Sequence, residues 1–226
     1  DVALFRLDLE TETWTRLTAA GANPARIDGV TIGQVYWSAG RCTEWGACSL
    51  TGSSLLDLRS GVISQPFPVA SRLQPSPDGR HVAYTFTNAS QRRTLAISTA
   101  DGQMTWNNNL EESDIVAYNW APDGMHVAAL FQASNPTNGK ISQTRLVTYK
   151  LANTSFFEFL SFSGLFPRVS YAPDNDTLAQ SATVTQNGSY ALYMRWFSTR
   201  ATGLYDEAHL FQGDTLVYLT DMRWVP

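Results

Sequence analysis

Three histidines, twenty carboxylates and two cysteines are the groups in this 226-residue chain whose chemistry could be put to use. His81 and His126 invite reading as a pair, since neighbouring imidazoles can relay a proton or share a metal. Each follows a proline by four positions, in Pro77-Asp78-Gly79-Arg80-His81 and Pro122-Asp123-Gly124-Met125-His126. A third copy of the pattern, Pro173-Asp174-Asn175-Asp176, puts Thr177 in that place. A position dictated by repetition argues for packing or an edge role rather than catalysis. His209 stands alone and no His-x-x-x-His spacing occurs, so the imidazoles give no support for a metal site.

The carboxylates divide in the same way. Asp78, Asp123 and Asp174 sit where a turn wants a side chain that bonds its own backbone. Asp174-Asn175-Asp176 has the start of a calcium loop but lacks the later Gly and Glu. Asp28, Asp114 and Asp221 precede Trp37, Trp120 and Trp224 by nine, six and three residues. A glycoside-cleaving site needs two or three converging carboxylates. These unequal offsets place them at different heights on their strands and argue against that site. No Gly-x-Ser-x-Gly elbow or Gly-rich phosphate loop is present. No catalytic constellation, cofactor site or metal site is expected in this segment.

Cys42 and Cys48 are six positions apart. In one continuous strand their Cα atoms would lie about 20 Å apart at roughly 3.3 Å per residue, whereas a disulfide needs about 4.4–6.8 Å. A bridge therefore requires Thr43–Ala47 to be a loop, which its Trp-Gly pair permits. The alternative is two small buried thiols in an ordinary strand.

The elements that must position these groups are strands. Charged residues make up 16% of the chain and aromatics 12%, with β-branched side chains and Ser/Thr-rich intervals between apolar runs, the composition of an all-β protein. A net charge of −4 with scattered arginines argues against nucleic acid, and no apolar window reaches the roughly 20 residues of a membrane span. The signature prolines Pro77, Pro122 and Pro173 recur at 45 and then 51 residues. Pro presets the turn's φ, Asp bonds the local backbone, and Gly, or Asn175 in the third copy, takes a positive φ. After each turn the residues alternate with a period of two, as in Val82, Tyr84 and Phe86. Each unit then continues through a second hairpin, at Ala100-Asp101-Gly102 and at Ala152-Asn153-Thr154.

Four short strands per unit at this period predict a β-propeller of four-stranded antiparallel blades. The expected organisation is one domain over 1–226 with about five blades, complete in itself or part of a six- or seven-bladed ring. Residues 1–18 supply the third and fourth strands of a first or closing blade. Residues 30–68, 71–110, 115–160 and 167–211 form full blades. Residues 216–226 supply the first strand of the next or closing blade. Within the blade at 30–68, Val35–Gly40 is expected to be the first strand, with Trp37 equivalent to Trp120.

Trp/Tyr-Ser/Ala-Pro-Asp-Gly followed by a His-Val-Ala strand resembles the WD40-like PD40 repeat of TolB-like propellers, a repeat also found in prolyl-oligopeptidase and tricorn-type peptidases. The copies at 74–84 and 119–129 carry the resemblance, and the Gly-His and Trp-Asp pairs of true WD40 blades are absent. The resemblance implies a fold more than a function. The expectation is a non-catalytic scaffold that binds a protein through rim loops, chiefly Gln132–Gln143 and Arg41–Ala47, in a periplasmic or extracellular setting. The alternatives are the propeller of a larger hydrolase whose catalytic domain lies outside this chain, and a glycan-binding or glycoside-acting propeller.

Overall fold

A computed structural model describes residues 3–19, 22, 24–42, 48–67, 70–107, 113–134, 140–152, 155–160, 164–199, 203–219, 222 and 224. These residues form strands, turns and connections, and no helix. A two-stranded hairpin comes first, β1 (Phe5–Asp8) with β2 (Thr13–Arg16). Four four-stranded antiparallel sheets follow in chain order. The first is β3 (Pro24–Val30), β4 (Gln34–Cys42), β5 (Cys48–Asp57) and β6 (Ile63–Ser64). The second is β7 (Ser71–Pro75), β8 (His81–Thr87), β9 (Arg93–Thr99) and β10 (Met104–Asn107). The third is β11 (Asp114–Trp120), β12 (His126–Ser134), β13 (Ile141–Lys150) and β14 (Ser155–Leu160). The fourth is β15 (Leu165–Tyr171), β16 (Thr177–Gln186), β17 (Ser189–Ser198) and β18 (Gly203–Gly213). Each sheet is a simple meander in which sequential strands are neighbours.

The repeat frame is shifted in the first sheet. Its first strand is Pro24–Val30, and Val35–Gly40 lies within the second strand, so Trp37 sits mid-strand while Trp120 ends a first strand. Pro24–Val30 escapes a period-two reading because Gly29 interrupts it and its burial follows no alternation. Its turn, Thr31-Ile32-Gly33, replaces Pro-Asp-Gly.

The chain divides into two compact units. Unit 1 holds Asp1–Pro75, Gly79–Thr87 and Leu95–Asn107; unit 2 holds the remainder. In unit 1 the pleat sends Tyr36 and its cross-strand partner Leu55 to one side of the first sheet, against Leu73, Val82, Tyr84 and Ala96. Val35, Trp37 and Leu56 face the other side and pack with Leu4 and Leu17, which flank the hairpin. In unit 2 Ala128, Leu130 and Leu146 of the third sheet meet Val169, Tyr171, Leu178 and Phe197 of the fourth. These side chains are almost wholly buried, and the valine, leucines and phenylalanine each contribute on the order of 1.5–3 kcal/mol through burial. The described residues after β18 carry no strand pairing but are held against the fourth sheet. Thr183 Oγ1 donates to Val217 O at 2.5 Å, and Tyr218 stacks on Phe166 with ring centroids 4.5 Å apart.

Candidate functional site

A meander leaves its connections at two opposite ends of each sheet. First-to-second and third-to-fourth turns share one end, and the same backbone bond joins them in all four sheets. Leu58 N donates to Gly33 O at 2.8 Å, Ala100 N to Arg80 O at 3.0 Å, Leu151 N to Met125 O at 3.0 Å and Thr199 N to Asp176 O at 2.8 Å. This is the signature end. Second-to-third and fourth-to-first connections leave from the other, the loop end.

At the signature end the repeat's chemistry is absorbed by the turns. Gly79 and Gly124 hold φ at 70° and 68°, and Asn175 takes the same left-handed conformation at 61°. Asp123 Oδ1 accepts from Met125 N at 2.8 Å and His126 N at 3.2 Å, and its Oδ2 lies 2.7 Å from His126 Nδ1. Asp174 Oδ1 accepts from Asp176 N at 2.9 Å and Thr177 N at 2.8 Å, and its Oδ2 takes the Thr177 hydroxyl at 2.8 Å. Asp78 Oδ1 accepts from Ser76 Oγ at 2.6 Å and lies beside Gly124. His81 opens β8, half-buried, as His126 opens β12. His209 stacks on Tyr193 at 4.7 Å across β17 and β18.

One bond at this end goes beyond turn formation. Asp123 N donates to Asn175 Oδ1 at 2.8 Å, tying the turn of the third sheet to that of the fourth. Asn175→Ala therefore loses an acceptor and forces alanine into a left-handed conformation, at a cost of about 1–2 kcal/mol. Asn175→Gly keeps the conformation and loses only the bond. Urea unfolding should place alanine below glycine; equal or reversed losses would contradict this.

The carboxylates weighed for glycoside chemistry have local partners. Asp114 Oδ1 accepts from Arg93 N at 2.8 Å, and its Oδ2 lies 3.4 Å from the Arg92 guanidinium, at the start of β11. Asp28, on β3, has a nearly inaccessible side chain, accepts the Ser38 hydroxyl at 2.5 Å and pairs with Arg26. Burial pushes its carboxyl above the ordinary range, against the opposing pull of Ser38 and Arg26. Asp221 lies outside the described residues. Among the described residues, no three His, Cys, Asp or Glu gather as metal ligands.

A carboxyl whose folded pKa exceeds its unfolded value keeps its proton longer in the folded state. Its contribution is therefore most favourable below the ordinary Asp range, declines as pH rises to the raised value, and is level beyond. Asp28→Asn removes that decline. Urea midpoints measured upward from about pH 3.5 should show the variant gaining on the native chain through this window. A pH-independent difference would contradict the buried charge.

At the loop end, residues 43–47 and 135–139 lie outside the described residues, so the rim loops expected at Arg41–Ala47 and Gln132–Gln143 are described only at their margins. The margins are informative. The register of β4 and β5 sets Cys42 directly opposite Cys48, and opposed residues in an antiparallel pair have Cα atoms about 4.5–5.5 Å apart. That spacing lies within the range a disulfide needs and excludes one continuous strand through both cysteines. Deeper in the third sheet, Gln132 Nε2 donates to Gly164 O at 2.9 Å and Thr144 Oγ1 at 3.3 Å, tying β12 to the connection before β15.

No protein-family profile and no curated protein sequence matches the chain. Its structure is similar to several solved ones. TolB from Acinetobacter baumannii matches 94% of this chain and 49% of its own, at 15% identity and a TM-score of 0.54. An oligogalacturonate lyase in complex with manganese matches 90% of this chain and 58% of its own, at 15% identity and a TM-score of 0.61. The β-propeller domain of the trilobed protease from Pyrococcus furiosus matches 81% and 55%, at 12% identity and a TM-score of 0.53. The chain spans about half the length of these structures. The likeness identifies its four-stranded sheets as blades of the β-propeller fold.

Proposed function

We propose that this chain is a non-catalytic propeller module that binds another protein through the connections at its loop end. The observation that carries the reading is the fate of the repeat's reactive groups. Asp123, Asp174 and His126 are engaged in turn bonds that hold strands in register, which leaves recognition to the connections between the copies. Connections on a rigid β scaffold can vary without disturbing the sheets. Resemblance to TolB-like repeats supports the same reading and favours a periplasmic or extracellular setting. No helix among the described residues is long and apolar enough to cross a membrane.

Two variants of the full chain test it. In one, 135–139 becomes Gly-Ser and Trp45 becomes alanine; in the other, Asp101 and Ser60 at the signature end become lysine. The reading expects a co-purifying partner to be lost from the first and retained by the second. Loss from the second alone would overturn it.

The opposed cysteines support a Cys42–Cys48 disulfide, formed by losing two electrons and two protons to a thiol oxidant such as oxidised glutathione. It would close the loop carrying Trp45. Non-reducing mass spectrometry should find the chain lighter by two hydrogens; two titratable thiols in freshly secreted protein would contradict it.

The second reading is the propeller of a larger hydrolase. The likeness to the trilobed-protease propeller domain, and the chain's spanning about half of the three structures named above, favour it. Gene sequence beyond both ends would decide it by the presence or absence of a catalytic domain. A glycoside-acting role would require activity to fall on replacing Asp28, Asp114 or Asp221.

A further inference from the structure

We draw no further inference here: the strongest candidate, the exposed Phe166–Tyr218 ring pair with Leu165 and Leu216 beside it at the loop end of the fourth sheet, carries nothing because nothing in the structure shows what covers it.

Discussion

Leu130→Ala should cost about 2–5 kcal/mol, the range for a large-to-small change in a core that cannot collapse around the void. Leu130 is fully buried on β12, opposite Leu146, within the cluster where the third sheet packs on the fourth. Its neighbours are constrained from both sides. Leu146 is held in the ladder between β12 and β14, and Leu178 and Phe197 pair with each other on β16 and β17. Two ladders must shift before the cavity can fill. For a chain of this size the loss lowers the melting temperature by roughly 2–4 °C per kcal/mol. Urea titration should show a lower midpoint at unchanged slope. Leu210→Ala, at a half-exposed position on β18, is the control and should fall within about 0.5 kcal/mol of the native chain. Equal effects at the two positions would mean that the sheets do not depend on this packing.

Gly29→Ala tests the corresponding contact in unit 1 and should cost about 1–3 kcal/mol through overpacking. A Cβ at Gly29 would stand 2.3 Å from Pro75 Cδ and 2.8 Å from Pro75 Cγ. Pro75 ends the first strand of the second sheet, and its ring cannot swing aside as a longer side chain would. Relief must come from backbone movement, in β3 or in β7. Pro75→Ala removes the obstructing ring, so the double variant should recover much of what Gly29→Ala loses. Such coupling is the signature of residues in contact. Additive losses would show that Gly29 matters for its backbone freedom alone.

The two sites also show what a sequence can and cannot disclose. The turns were legible because Pro, Asp and Gly each have a conformational reason to be there, and Asn175 could be read as a Gly substitute from its tolerance of positive φ. Its bond to Asp123 N was not legible, because nothing local shows that consecutive turns touch. The strands after the turns were legible from alternation, as in β8 and β12. Pro24–Val30 was hidden because Gly29 is there to admit Pro75, a demand made by a residue 46 positions away. The misplaced frame at Trp37 followed, since an aromatic before a turn looks the same whether it ends a first strand or fills a second. Asp28 could be seen as a carboxylate but not as a buried one, because Ser38 meets it only once β3 and β4 are paired. Cys42 and Cys48 were poised between bridge and strand until the β4–β5 register set them opposite each other.

If the repeat residues build the scaffold and the loop-end connections do the binding, a partner must contact those connections and leave the signature turns untouched. Site-specific photocrosslinking in cells that express the protein reads those contacts. A photoreactive amino acid would replace Trp45 or Ser90 at the loop end, and Ser60 or Asp101 at the signature end, where Ser90, Ser60 and Asp101 are exposed. Trp45 and Ser90 are each expected to capture a protein, and Ser60 and Asp101 to capture none. Capture of one protein from Ser60 and Asp101, with nothing from Trp45 and Ser90, would contradict this division of labour.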